Sequence, residues 1–145
     1  MRIMAIDLGL ARTGVAISDP LEQLASPVCT IEQYYQLERM AKRVAEEAGR
    51  AKAERIIVGH PRNMDGSCGE SARRAEEFAD CLREVTAVPV ELWDERLTTV
   101  SAIGYLNETG VRGKKRKAVI DAVAATVILE NYMAHRRLTG EREEG

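Results

Sequence analysis

Aromatic residues are scarce in this chain: one Phe, one Trp and four Tyr among 145 residues. Non-specific binding of single strands leans on aromatic platforms for the bases. Their scarcity makes base stacking minor, so any recognition of nucleic acid must follow backbone shape and charge. Cysteine is sparse too. Cys29, Cys68 and Cys81 are odd in number and lack metal-ligand spacing. That excludes a disulfide framework and fits a reducing cytoplasm. There is no apolar run long enough to span a membrane as a helix and no signal-peptide pattern at the N-terminus, and no membrane partner is expected. The net charge of −2 is small, so nucleic-acid binding would have to use local basic patches. No internal repeat is present, and the only low-complexity piece is Gly140 to Gly145.

What is present is enough for one domain with a real core. Apolar residues make up 45% and charged residues 30%, the balance of a globular protein. The expected domain runs over 1–138, with a polar, disordered tail over 139–145. The organising stretch is Arg2 to Asp19. Ile3 to Ile6 and Val15 to Ile17 are short, continuous apolar runs, as in strands buried on both faces. Gly9 and Gly14 suit a tight hairpin between them. Ala25 to Thr30 reads as a third strand, at an edge because it contains Pro27. Apolar residues at three- and four-residue steps predict a helix from about Ile31 to Lys52, with Gly49 near its end. Arg55 to Gly59 reads as a buried strand and His60 to Ser67 as a loop. Ser67 and Glu70 have capping-box spacing for a helix to about Val85, with Ala72, Ala75, Phe78, Ala79 and Leu82 inward. A strand from Val90 to Asp94, a helix from Thr98 to about Glu108, a loop from Thr109 to Lys115 and a helix from Lys117 to Leu138 complete the chain. This alternation predicts an α/β domain with a mixed sheet. The first two strands should form an antiparallel hairpin, and the strands at Ile57 and Leu92 should run parallel to the first.

Three acidic positions carry the chemistry. Asp7 ends a buried strand beside a glycine turn; it either caps that turn or serves a site. Asp94 and Glu95 follow a strand, where neighbouring side chains point to opposite faces, so only one of them can join Asp7. They also suit a helix N-terminus, with Thr98 as a cap. Asp121 is the only charge in the apolar run Ala118 to Leu129. It can use the helix dipole, pair with Lys117 one turn earlier, or help to hold a metal. Acids at strand C-termini mark the usual ligand edge of an open α/β sheet. Carboxylates converging there need a cation, and oxygen-only ligation favours Mg²⁺ or Mn²⁺. Paired ions of this kind support in-line cleavage of phosphodiesters.

From Met4 to Met133 the chain resembles the YqgF family of precursor 16S ribosomal RNA nucleases and Holliday junction resolvases, which are related to RuvC. The resemblance rests on Ile6-Asp7-Leu8-Gly9 with Arg12-Thr13-Gly14, and on Gly59-His60-Pro61 with Asp65-Gly66-Ser67. It rests equally on Asp94-Glu95-Arg96-Leu97-Thr98-Thr99 and on Asp121-Ala122-Val123-Ala124-Ala125. It implies a ribonuclease H-like mixed sheet flanked by helices, a catalytic and metal-holding triad of Asp7, Glu95 and Asp121, and Arg12 and Arg96 facing phosphate. Two departures stand out. His60 occupies a place where the family usually has leucine; a solvated loop residue is the expected role, with proton transfer as the alternative. Ala124 stands where RuvC-type resolvases carry a further acid, which argues against efficient junction resolution more than against nuclease activity.

Arg112-Gly113-Lys114-Lys115-Arg116-Lys117 places five basic residues in six positions just before the Asp121 helix. Beside a phosphodiester site, it reads as a backbone clamp. The expected partner is structured RNA, or branched DNA, met by a monomer or a homodimer. The expected reaction is metal-dependent cleavage, as in processing the 5′ end of precursor 16S ribosomal RNA. The alternatives are junction resolution and a non-catalytic RNA-binding or antitermination factor.

Overall fold

The structure, a computed structural model, describes residues 1–9, 12–32, 36–61, 65, 67–95 and 113–140; over 113–121 only the backbone is described. Strands β1 (Ile3–Leu8), β2 (Arg12–Ser18), β3 (Ala25–Glu32), β4 (Arg55–His60) and β5 (Val90–Asp94) form one sheet in the order β3-β2-β1-β4-β5. β1 pairs antiparallel with β2 and parallel with β4, and β4 pairs parallel with β5. The mixed sheet expected from the alternating pattern is therefore present, with the hairpin at its start. The C-terminal ends of β1, β4 and β5 share one edge.

Helices α1 (Leu37–Ala51) and α2 (Glu70–Val85) cover one face, and α3 (Gly113–Thr139) covers the other. Strand periodicity explains the two cores. Met4 and Ile6 of β1, with Ile56 and Val58 of β4, meet Met40, Val44, Phe78 and Leu82 of the first two helices. Ile3, Ala5, Ile57 and Trp93 point the other way, onto Ala125, Ile128, Leu129, Tyr132 and Met133 of α3. The inward stripe expected for α2 is buried at all five positions. A buried pair, Arg136 Nε to Glu22 Oε1 at 2.7 Å, ties the end of α3 to the β2–β3 connection.

Several boundaries differ from the sequence reading. Ile31 is strand, not helix: it is buried and sits opposite Thr13 of β2, so α1 starts at Leu37. Gly49 does not end α1. The helix runs on to Ala51 and closes at Lys52, which takes a left-handed conformation with φ 57°. The Ser67–Glu70 capping box does not form. Gly69 is the N-cap, and Ser67 gives both its N–H and its hydroxyl to Asp65 Oδ1, at 2.9 and 2.6 Å. A charged acceptor two residues away outcompetes the helix end. Residues 113–115 belong to α3 rather than to a loop; lysine and arginine propagate a helix well once one has formed. The helix expected over 98–108 and the tail over 141–145 lie outside the described residues.

Candidate active site

The hairpin turn starts the site. The Gly9 N–H donates to the Arg12 carbonyl at 3.0 Å. A Cβ at position 9 would stand 2.3 Å from that same oxygen, so the turn requires glycine. Asp7 precedes it, in β1, and by strand alternation shares the α3 side with Ile3 and Ala5. On β5, Trp93 packs on that side, and Glu95 follows it two residues later. Gly59 of β4 lies opposite Trp93 in the register, between the two acids. Its missing side chain is where the Glu95 carboxylate fits: a Cβ there would lie 3.1 Å from Glu95 Cδ and 3.3 Å from Oε2.

Asp7 and Glu95 line one cavity of about 250 Å³, together with Leu8, Gly9, Pro61, Ser71 and Arg74. Burial first, and then the like charges of Asp7 and Asp94, push the Glu95 carboxyl up to about 7. Of the neighbouring acids, Glu95 is therefore the one that joins Asp7. Arg74 Nη1 reaches over the turn and donates to the Gly9 carbonyl at 3.0 Å, which brings a cation to the rim of an acidic cavity.

The raised carboxyl has a consequence for stability. The folded chain keeps the Glu95 proton at pH values where the unfolded chain, with its ordinary value of 4.5, has lost it. The penalty is therefore absent below about pH 4.5, grows as pH rises, and is complete above about pH 7. In excess chelator, Glu95→Gln should melt higher than wild type above pH 7 and level with it near pH 4.5. With solvent screening allowed for, the gain should be on the order of 1–2 kcal/mol, or about 3–6 °C. A lower melting point for the variant at high pH would contradict this picture of the site.

The other expected site residues are distributed as follows. Arg12 opens β2, half-buried, next to the hairpin turn. Position 121 lies in α3, one turn before Ala125 and two before Ile128, which touches the Gly59 position; the Asp121 side chain is outside the described residues. Lys114, Lys115, Arg116 and Lys117 form the start of α3, described as backbone only. Arg96 and Arg112 lie outside the described residues. His60 is not a solvated loop residue. It ends β4, its side chain is 12% exposed, and its Nε2 meets Glu76 Oε1 at 3.1 Å. Sequence reasoning missed Arg74 and Ser71. Nothing distinguishes Arg74 from Arg73 or the acids around it on a charged helix; only the fold turns it toward the cavity.

A mixed five-stranded sheet in this order, covered by helices on both faces and carrying acids at the shared strand edge, defines a ribonuclease H-like nuclease fold. The family model described as "RuvX: Holliday junction resolvase" matches residues 1–135, and the chain belongs to this family. A relative from Lachnospira eligens is 45% identical over 139 residues, covering 94% of this chain and 99% of its own length. One from Pelotomaculum thermopropionicum is 42% identical, covering 92% and 86%. Both bear the name "Putative pre-16S rRNA nuclease". Among solved structures, RuvC from Thermus thermophilus aligns with a TM-score of 0.60 at 16% identity over 97% of each chain. The same protein in complex with a Holliday junction aligns at 0.56 and 17%, covering 93% of this chain and 96% of its own. The chain is thus a nuclease, a hydrolase of nucleic-acid phosphodiester bonds. None of its described helices is long and apolar enough to cross a membrane.

Proposed function

We propose that this nuclease is a divalent-metal-dependent endonuclease that processes the 5′ end of precursor 16S ribosomal RNA in the cytoplasm. Asp7, Glu95 and Asp121 are its catalytic acids and the ligands of Mg²⁺ or Mn²⁺. The observation that carries this reading is the meeting of Asp7 and Glu95 in one cavity at the C-terminal strand edge. The donor set fits the ion. It is all oxygen, as Mg²⁺ and Mn²⁺ prefer. It is partly buried, and Glu95 is driven toward its neutral form by that burial first and then by the charges of Asp7 and Asp94. A divalent cation held there supplies charge neutralisation and activation of water for in-line attack at phosphorus. Asp7, in β1, and Glu95, just past the end of β5, would hold it. Asp121 would approach from α3, seven residues before the Ile128 contact with the Gly59 position, and so on the same face of that helix.

Substrate handling follows from charge. Arg74 lines the cavity and Arg12 follows the hairpin turn at its rim, and both would face a scissile phosphate there. Arg96 follows Glu95 directly in sequence. Arg112, Lys114, Lys115, Arg116 and Lys117 surround the start of α3, whose first turn carries no acid to offset the positive end of the helix dipole. A basic helix start attracts backbone phosphate. Replacing Lys114, Lys115 and Arg116 together with Ala should weaken binding of all sequences about equally. Each lost contact should flatten the log–log salt dependence by roughly 0.7–0.9. An unchanged slope would mean that this stretch is merely solvated.

RNA is favoured as substrate by the relatives' shared name and by Ala124, which leaves position 124 without a carboxylate. The test is direct. Purified protein is incubated with Mg²⁺ or Mn²⁺ and labelled precursor ribosomal RNA, single-stranded RNA and a four-way DNA junction. Cleavage should be strongest near the precursor 5′ end. Preferential cutting of the junction by a two-fold dimer would make resolution the activity instead. Binding without cleavage of any of them would make the chain a binding factor.

A further inference from the structure

The sheet places a second set of chemical groups on the side away from Asp7 and Glu95. His60 is one residue past Gly59 and so points to the α2 face. There its Nε2 lies 3.1 Å from Glu76 Oε1, and Cys68 Sγ lies 4.0 Å from the same carboxylate oxygen. The three ligand atoms all lie within 4.8 Å of one another, and all three residues are half-buried. They come from three places: the end of β4, the residue just ahead of α2's N-cap, and the second turn of α2. We propose that His60, Cys68 and Glu76 form a binding site for one borderline-soft divalent transition-metal ion of the zinc class, separate from the acidic cavity.

Distance and donor type both support the assignment. Tetrahedral zinc with bonds of about 2.0–2.3 Å sets its ligand atoms roughly 3.3–3.8 Å apart. The His60–Glu76 separation, 3.1 Å, falls just below that range, and the Cys68–Glu76 separation, 4.0 Å, just above it. All three atoms lie within 4.8 Å, so side-chain rotations of about 1 Å or less would bring them to bonding distance of one ion. An imidazole, a thiol and one carboxylate select zinc-like ions over Mg²⁺ or Mn²⁺, which take oxygen. The acidic cavity offers oxygen alone, so only the His60–Cys68–Glu76 set supplies a sulfur ligand. Three protein ligands leave a fourth position for water. Binding releases the Cys68 thiol proton, because the thiolate is the ligand, so affinity falls as pH is lowered. The sequence hid this site because its members stand eight residues apart, outside the short spacings of common zinc motifs. The bound ion would clamp β4 to α2 behind Pro61, Ser71 and Arg74, which form one wall of the Asp7–Glu95 cavity. Its occupancy would stiffen that wall.

The full chain, stripped with chelator and dialysed, is titrated with Zn²⁺ by calorimetry and with Co²⁺ by absorption spectroscopy. Wild type should bind one ion per chain at a site that gives thiolate-to-cobalt charge-transfer absorption, apart from any ion taken by the acidic cavity, and melt higher when loaded. Removing a group that merely supports a metal ligand costs about 10–100-fold in affinity. Loss of a direct ligand should therefore weaken Zn²⁺ binding by about 100-fold or more. Cys68→Ser should abolish the charge-transfer band, and His60→Leu and Glu76→Gln should weaken binding of both ions. Cys29→Ser and Cys81→Ser should behave as wild type, and Asp7→Asn should keep the charge-transfer band whatever it does to ion binding in the acidic cavity. If Cys68→Ser fails to fold, the His60 and Glu76 variants carry the same test. Three results would each overturn the proposal: no charge-transfer band in wild type, an undiminished band and equal binding in the His60 and Glu76 variants, or loss of the band in Asp7→Asn.

Discussion

Asp7→Asn is expected to reduce cleavage of the preferred substrate by about 10³-fold or more, equivalent to about 4 kcal/mol of lost transition-state stabilisation. Glu95→Gln and Asp121→Asn should do the same. Each amide keeps the shape of the acid but removes the charge that holds the cation. Substrate binding should be unchanged or slightly tighter, because the variants remove negative charge near a phosphate backbone while leaving the basic residues in place. Cleavage rates at saturating Mn²⁺, measured beside equilibrium binding in chelator, separate the two effects. Loss of activity together with loss of binding would point to misfolding or to a role in substrate docking. Full activity in any one variant would remove that residue from the triad. For Asp121 the competing pairing with Lys117 makes a further distinction. If pairing is its only role, Asp121→Asn destabilises the chain and leaves its metal response intact.

Gly59→Ala should produce the second large effect, and with little loss of stability. An added Cβ would stand 2.9 Å from Ile128 Cδ1 and 3.1 Å from Glu95 Cδ. The end of the Ile128 side chain can swing aside, so the folding cost should be about 1–2 kcal/mol. The Glu95 carboxylate has to give by a few tenths of an ångström. A displacement of about 1 Å at a catalytic group can cost about 10²-fold in rate, so this smaller one should cost about 10-fold. The expected result is therefore a protein that melts within a few degrees of wild type, binds nucleic acid normally and cleaves about 10-fold more slowly. Wild-type cleavage by Gly59→Ala would mean that the position of Glu95 against β4 is not required.

These two variants also show which parts of the site could be read from sequence. Asp7 was legible because a buried strand ending in an acid beside a glycine turn is costly without a purpose. The choice of Glu95 over Asp94 came from the resemblance, and the fold supplies its physical reason: the Glu95 carboxylate packs against the Gly59 position and lines the cavity with Asp7. Gly59 could be read as part of a motif but not as the seat of a carboxylate, since that depends on which strand lies beside β4. Arg74 was invisible, because its role arises from where α2 crosses the strand edge. His60 was misread as solvated because its partner, Glu76, is sixteen residues away on a different element. The fold was more legible than the site. Apolar runs and helical stripes report burial locally, whereas convergence of side chains depends on strand order. The boundary errors have the same origin. Ile31 joined β3 because β2 offered it a partner, and Ser67 turned from α2 because Asp65 was the stronger acceptor.

Asp7, Glu95 and Asp121 are proposed to hold a divalent cation at the strand edge. The most direct test is an anomalous difference map from crystals of the wild-type chain soaked in Mn²⁺. We expect a strong peak in the cavity between the carboxylates of Asp7 and Glu95, completed by Asp121, and its disappearance in Asp7→Asn crystals. Manganese bound elsewhere, or a peak unaffected by Asp7→Asn, would contradict the account.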